Sequence, residues 1–287
     1  MRNLLRFLQR YNFPVLFIIL ELLALLMLAA LLAAGIWLMI ATSRGWPVST
    51  THSIVGAIVG FAVAGIGMDA VQWGKIGSIA ASWIVSPVIG GVIALLLMVS
   101  IRKLILNTES PFEKAKTWGP VYIFLVGWIV SLVTLFKGLK HLKLEFTGLE
   151  SLVIATIIGL IVAAIGKVLI NKIKVDAEAD RDYHYASVEK AFVPMMIFTA
   201  CAMAFAHGSN DVANGIGPMA AVLSVVQHDG DITQKAALPI WVLLVGGAGI
   251  VVGLATMGYR VLQTIGTKIT ELTPTRGYCA TLAAATT

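Results

Sequence analysis

Six long apolar stretches constrain this chain more than any other feature of its sequence. They cover Pro14–Ala41, Ile76–Ile101, Gly119–Phe136, Leu149–Ile165, Ala191–Ala206 and Ala237–Met257. A helix needs about 20 apolar residues to cross the hydrocarbon core of a bilayer. Because 58% of the 287 residues are hydrophobic and only 13% are charged, too little polar surface remains for a water-soluble globule. The sequence therefore predicts an all-α polytopic membrane protein with about six full transmembrane helices. We expect this multi-pass protein in a plasma membrane of the bacterial type.

The charged residues and the two cysteines exclude several other classes. The net charge of +6 does not indicate a nucleic-acid partner, because the basic residues stand between apolar stretches, as in loops that face lipid headgroups. Their distribution does not predict the membrane orientation. Cys201 and Cys279 are too few for a disulfide framework. Motifs that pair a nucleophile with its base are absent from the sequence, so we expect no enzymatic activity.

Two shorter apolar segments, Ser53–Ile66 and Val212–Val226, differ from the six long ones. Each has only about 15 residues, which is short for a full span and typical of a half-helix or re-entrant segment. Each directly follows a cluster of glycine, proline and small polar residues. Discontinuous helices of this kind, repeated in two halves of a chain, are typical of inverted-repeat secondary transporters.

The charge pattern also predicts how the chain is organised. Residues 171–188 carry many charges of both signs and no aliphatic period, which indicates a solvated loop. This loop would separate an N-terminal membrane half, residues 1–170, from a C-terminal half, residues 189–287. The first 26 or so residues of the N-terminal half form an atypical beginning.

The first polar cluster, residues 44–53, interrupts the chain with a proline and several hydroxyl groups. Pro47 cannot continue an incoming helix, and Ser49, Thr50 and Thr51 stand where the next helix begins. Hydroxyl donors, free backbone N–H groups and the positive end of a helix dipole suit an oxyanion. An ordinary interfacial turn with one hydroxyl cap is the alternative.

The second polar cluster, residues 207–218, follows directly on an apolar stretch. Asn210 and Asn214 are four residues apart and share a helix face, with Asp211 beside them. A carboxylate at membrane depth is costly and should face a cavity, a partner or an ion. Carbonyl and carboxylate oxygens suit a hard cation such as sodium. The alternatives are that Asp211 only caps a helix, or that it pairs with His207 in a metal site, for which no third ligand is near.

Two motifs and a third segment near the C-terminus resemble those of a known protein family. The segment Pro47-Val48-Ser49-Thr50-Thr51-His52-Ser53 and the segment from Ala206 to Pro218 resemble motifs of the inorganic phosphate transporter (PiT) family. The second is similar to that family's Gly-Ala-Asn-Asp-Val-Ala-Asn-Ala signature, with Ser209 and Gly215 in place of its first and last alanines. Glu271–Gly277 also resembles a family segment. The resemblance covers about residues 28–287.

The resemblance implies symport of inorganic phosphate with sodium or a proton, and an inverted-repeat fold. The residues of this chain that match the family's motifs are then the expected site residues. The implied phosphate ligands are Ser49, Thr50, Thr51, Asn210 and Asn214. The cation would be held by Asp211 with Asn210 and Asn214, and the supporting residues are His52, Ser53, His207 and Ser209. We expect no cofactor or metal other than a bound sodium ion.

The chain also departs from the family's pattern. Family members have an Asn-Asp motif before the first Pro-Val-Ser motif and a second Pro-Val-Ser motif after the second Asn-Asp motif, and this sequence shows neither. We therefore expect a partial or rearranged carrier. Two alternatives stay open, namely a permease for another oxyanion such as sulfate and a non-transporting membrane protein that assembles with partners. The expected partners are phosphate, the coupling ion and the bilayer, and assembly into a homo-oligomer is left open.

Overall fold

The chain is mostly helical within the residues that the computed structural model describes, which are 13–138, 146–174, 185–227, 239–269 and 271–287. Within these ranges there are nine α-helices: α1 (Phe13–Ser43), α2 (Thr50–Gly65), α3 (Trp73–Ile101), α4 (Pro111–Val133), α5 (Gly148–Asn171), α6 (Ala186–Gln227), α7 (Ile240–Gly253), α8 (Tyr259–Gln263) and α9 (Pro274–Thr286). A 3₁₀ turn occupies Met68–Ala70. Helices α3, α4, α7 and α8 each run on into a π-helical turn: Arg102–Leu106, Thr134–Gly138, Leu254–Gly258 and Thr264–Ile269.

The six predicted transmembrane helices are confirmed. Six of the described helical segments are long and apolar enough to cross a bilayer: Leu25–Ser43, Trp73–Leu106, Pro111–Phe136, Gly148–Asn171, Ala186–Ala221 and Ile240–Ile269. The first of the two shorter predicted segments is a separate short helix, α2, with 16 residues. The chain is therefore a polytopic helical membrane protein.

The second predicted break is wrong, because α6 runs without interruption through residues 207–218. The expected half-helix Val212–Val226 is the last part of this 42-residue helix. Each helical glycine costs roughly 1 kcal/mol relative to alanine, so Gly208, Gly215 and Gly217 favoured a break when the sequence was considered alone. In a membrane the backbone must satisfy its hydrogen bonds internally, which keeps glycine- and proline-containing segments helical.

Packing against α7 also holds this part of α6. A side chain at Gly246 of α7 would bring its Cβ within 2.6 Å of Ile216 Cγ2 and 3.4 Å of Val212 Cγ1. The absence of a side chain at Gly246 lets the two helices approach closely, and Ile216 is buried in the contact. This tertiary contact outweighs the local preference of the glycines for a break.

The chain divides into two compact units. Unit A comprises Met1–Gly74 and Gly208–Glu271, and unit B comprises Lys75–His207 and Leu272–Thr287. The division inferred from the sequence, at residues 1–170, 171–188 and 189–287, stays a prediction. Much of the predicted charged loop, residues 175–184, lies outside the described residues, as do the first 12 of the atypical N-terminal residues.

Unit B has its core where α4, α6 and α9 meet. Tyr122, Phe192 and Tyr278 pack as an aromatic cluster with ring centroids 5.7–6.3 Å apart, and the Tyr278 hydroxyl donates to the Tyr122 carbonyl at 3.0 Å. The Glu189 carboxylate accepts from the Thr275 backbone N–H at 2.7 Å and from its hydroxyl at 2.8 Å. A carboxylate in the first turn of α6 thus satisfies donors at the start of α9, where the helix dipole favours negative charge.

Candidate functional site

The site in unit A begins with the turn that ends α1. Gly45 has a φ of 70°, the left-handed conformation that glycine adopts without a steric penalty. The Trp46 N–H donates to the Ala41 carbonyl at 2.9 Å and the Gly45 N–H to the Thr42 carbonyl at 3.0 Å. This pair of bonds is a Schellman motif, which satisfies two carbonyls at the helix end. The turn directs the chain into Pro47 and the start of α2.

Arg260 of α8 holds the same turn from the other side. Its Nη1 donates to the Ser43 carbonyl at 3.0 Å, and its Nε donates to the Tyr259 hydroxyl at 3.2 Å. A guanidinium at a helix C-terminus satisfies an orphan carbonyl and interacts favourably with the negative end of the dipole. The sequence reasoning missed Arg260, and its only signal was a lone arginine just after an apolar stretch.

Helix α2 begins as predicted, with hydroxyl residues at its N-terminus. Ser49 is the N-cap, and its hydroxyl accepts from the His52 N–H at 3.2 Å. The Ser53 hydroxyl and N–H both donate to the Ser49 carbonyl, at 2.8 and 3.1 Å. The N–H groups of Thr50 and Thr51 have no acceptor within the helix itself, since they belong to its first turn. They provide two donors at the positive end of the helix dipole.

The two predicted motifs contact each other at Thr51 and Asn214. The Asn214 Nδ2 donates to Thr51 Oγ1 at 2.8 Å, across 163 residues of sequence, and lies 3.3 Å from Asp211 Oδ1. All three side chains are partly buried. One amide therefore links a hydroxyl at the start of α2 to a carboxylate on α6.

The other predicted site residues lie on the same two helices, α2 and α6. Asn210 is exposed and lies one turn before Asn214 on α6, and Thr50 and His52 lie beside Thr51 in the first turn of α2. His207 is exposed on α6, and the Ser209 side chain lies outside the described ones. Among the described residues, no group of three histidine, cysteine, aspartate or glutamate side chains could hold a metal ion.

The arrangement can bind an anion and a cation side by side. Thr51 accepts from Asn214 through its oxygen, so its own hydroxyl hydrogen can be donated to an anion. The Asn214 amide nitrogen is engaged by Thr51 and Asp211, which leaves its carbonyl oxygen as the atom to offer to a cation. A carboxylate accepts several bonds at once, so Asp211 can bind a cation while it contacts Asn214.

Replacing Gly45 by alanine should destabilise the chain and weaken any ligand binding at the start of α2. The new Cβ would lie 2.8 Å from Thr264 Oγ1 and 3.3 Å from the Arg260 carbonyl, at a φ that L-residues rarely adopt. We expect a loss of about 1–3 kcal/mol, measured as a lower midpoint of thermal unfolding in detergent. Gly56→Ala is the matched control, since a Cβ at Gly56 of α2 meets nothing within 4 Å. Equal midpoints for the two variants would contradict this account of the turn.

The chain is similar in sequence to proteins whose names refer to phosphate transport. The family model described as "Phosphate transporter family" matches residues 12–287. A protein named as a phosphate permease in Haemophilus influenzae is 48% identical over 270 residues, which are 93% of this chain and 63% of that protein. The Inorganic phosphate transporter 2-1, chloroplastic, of Arabidopsis thaliana is 38% identical and is matched over 90% of this chain and 47% of its own length.

A solved structure shows the same fold. The protein described as "The sodium-dependent phosphate transporter" superposes with a TM-score of 0.78 and 35% sequence identity, over 91% of this chain and 63% of that one. The chain thus spans about three-fifths of the length of this structure and of the Haemophilus relative. The six spans together with bacterial permease relatives indicate a multi-pass protein of the plasma membrane.

Proposed function

The chain belongs to the phosphate transporter family, and from this premise we propose that it carries inorganic phosphate across the membrane together with a cation, with sodium as the coupling ion. The name of the matched structure, a sodium-dependent phosphate transporter, supports sodium over a proton. The cation and the phosphate would bind next to each other at the junction of α2 and α6 in unit A.

The hydrogen bond between Asn214 and Thr51 is the single observation that carries this proposal. It joins an oxyanion motif and a cation motif that are far apart in the sequence. Coupling requires that each ligand change the affinity for the other. The Asn214 amide contacts both Thr51 at the proposed phosphate site and Asp211 at the proposed cation site. Binding at one site can therefore change the affinity at the other.

Phosphate would bind at the N-terminus of α2. The N–H groups of Thr50 and Thr51 and the Thr51 hydroxyl are the proposed donors, and the helix dipole adds to the attraction. Ser49 holds the first turn through its cap to His52 and so orients these donors. Asn210, exposed on α6, would add an amide donor from the side of the cation.

Sodium would bind to oxygen atoms of α6. The proposed ligands are the Asp211 carboxylate and the side-chain carbonyls of Asn210 and Asn214, all hard donors suited to a hard cation. With sodium bound, the Asn214 carbonyl is drawn to the ion, which polarises the amide and strengthens its bond to Thr51. Sodium would thereby favour the arrangement that accepts phosphate.

Asp211 would also discriminate between oxyanions. Phosphate at neutral pH retains a proton that a carboxylate can accept, whereas sulfate has none. A site that accepts a hydrogen bond from this proton disfavours a ligand that cannot donate one. His207, Ser209, His52 and Ser53 would support the site from neighbouring positions.

Uptake into vesicles tests the proposal. The purified chain is reconstituted into liposomes, and uptake of radiolabelled phosphate is measured with an inward gradient of sodium, potassium or choline. We expect uptake with sodium only, competition by arsenate, which also retains a proton, and no competition by sulfate. Equal uptake with all three cations would contradict sodium coupling, and competition by sulfate would contradict the role of the phosphate proton.

A further inference from the structure

An open groove between α3 and α4 in unit B carries an inference that requires only that the chain spans a membrane. The groove has a volume of about 300 Å³ and is lined by residues 93–104 of α3 with its π-helical turn and residues 118–125 of α4. This volume is at the lower end of the range of ligand pockets, which is about 300–1,000 Å³. Its walls are almost wholly apolar.

The groove opens toward the bilayer rather than toward the core. Only 6% of the apolar window of α3 is buried, and Leu96 in the groove wall is 63% exposed. The two polar groups on the groove wall are bonded to each other, Ser100 Oγ to Tyr122 OH at 2.6 Å. Neither therefore needs a polar partner from a ligand, and the groove can hold a hydrocarbon chain without leaving a hydroxyl unsatisfied.

Two lysines stand at one end of the groove. Lys103 directly precedes the lining residue Leu104 in the π-helical turn, and Lys114 is one turn of α4 before the lining residue Trp118. The π-helical turn with Lys103 contacts α4, and only residues 107–110 separate it from α4, so the two lysines lie at the same end. Both are exposed.

The charge balance at this end is positive. Glu113 is paired with Lys116 at 2.8 Å, so that acid is neutralised locally. The other charged residues between α3 and the first turn of α4 are the positively charged Arg102, Lys103 and Lys114 and the negatively charged Glu109. The lining residue Trp118 has the amphipathic ring that is enriched at the level of lipid headgroups.

We propose that this groove binds an anionic phospholipid. One acyl chain lies between α3 and α4, the headgroup phosphate is bound by Lys103 and Lys114, and Trp118 packs at the level of the glycerol. Basic pockets between transmembrane helices bind anionic headgroups by the same combination of charge and apolar contact. The exposed lysines at one end and the apolar walls along the rest match the charged headgroup and the acyl chain of such a lipid.

Quenching of Trp118 by brominated lipids tests this site. The purified chain is titrated in mixed micelles with phosphatidylglycerol or phosphatidylcholine whose acyl chains carry bromine, and the signal of the Trp118→Phe variant is subtracted. We expect the Trp118 signal to be quenched at lower concentrations of phosphatidylglycerol. In the K103Q/K114Q variant the apparent affinity for phosphatidylglycerol should fall by about fivefold for each lysine removed, while that for phosphatidylcholine stays unchanged.

The matched control removes the same charge elsewhere. Lys75 is exposed at the start of α3, at the opposite end of this helix from Lys103, and is replaced in K75Q, which should keep the preference for phosphatidylglycerol. A loss in K75Q equal to that in K103Q alone, or equal quenching by the two lipids in the unaltered chain, would overturn the proposal. If neither lipid quenched Trp118, the groove would be filled by protein, such as a second copy of the chain, and the proposal would also be wrong. A Val121→Phe variant, which narrows the groove, should reduce quenching by both lipids.

Discussion

Sodium should no longer stimulate phosphate uptake when Asp211 is replaced by asparagine. The substitution keeps the size and the hydrogen-bonding shape of the side chain but removes its negative charge. Without that charge, the proposed cation site retains only neutral carbonyl oxygens, which bind a hard cation more weakly. Coupling free energies between two ligands are typically about 1–3 kcal/mol, or five- to 150-fold in affinity, and we expect this coupling to fall to near zero.

The measurement is the initial rate of phosphate uptake into vesicles as sodium is varied. Asp69→Asn is the matched control, because Asp69 is exposed in the 3₁₀ turn of the same unit and the same charge is lost there. The control should keep the sodium response of the unaltered chain. A normal sodium response in Asp211→Asn would contradict the assignment of Asp211 to the cation.

The second large effect is expected at Thr51. Thr51→Val has nearly the same shape but no hydroxyl, so the bound anion loses a donor and the Asn214 amide, 2.8 Å away, loses its acceptor. A hydrogen bond to a charged group contributes about 1.5–3 kcal/mol, so phosphate affinity should fall by about ten- to 150-fold. Equilibrium binding of radiolabelled phosphate to the purified chain measures this loss.

Two further variants separate the hydroxyl from the methyl group. Thr51→Ser retains the hydroxyl and should keep most of the affinity. Thr256→Val removes a hydroxyl in the same unit that bonds the Val252 and Gly253 carbonyls one turn before it, at 2.8 and 3.2 Å, and should leave phosphate binding unchanged. If Thr51→Ser were as weak as Thr51→Val, the hydroxyl would not be the group that matters.

The elements that depend on local chemistry could be predicted from the sequence. The six spans follow from apolar length alone, because a bilayer demands it. The start of α2 follows from Pro47, which cannot continue an incoming helix, and from Ser49, which caps α2. Both signals act within a few residues, so no knowledge of the tertiary structure is needed to interpret them.

The continuity of α6 could not be predicted in the same way. Three glycines and Pro218 indicate a break when only their effect on the stability of the local helix is considered. Ile216, however, packs against Gly246 of α7, and the helix is continuous. The contact partner is 30 residues away and carries no side chain, so no sequence pattern marks it. Tertiary packing that overrides a local preference is the general reason for such errors.

The geometry of the site was only partly predictable. Thr51, Asp211 and Asn214 were identified as candidates from their residue types and spacing, but the bond between Thr51 and Asn214 spans 163 residues. Arg260 was missed for the same reason, since its acceptor at Ser43 lies 217 residues away. A sequence without an alignment holds no record of which distant side chains meet.

The central claim is that one site, built by Thr51, Asn214 and Asp211, binds phosphate and sodium together. Equilibrium binding of phosphate to the purified chain, in sodium and in choline, tests it most directly because binding does not require transport. We expect saturable phosphate binding that sodium tightens, and reciprocal tightening of sodium binding by phosphate. Phosphate binding that is the same in sodium and choline, or that is unchanged in both Thr51→Val and Asp211→Asn, would contradict it.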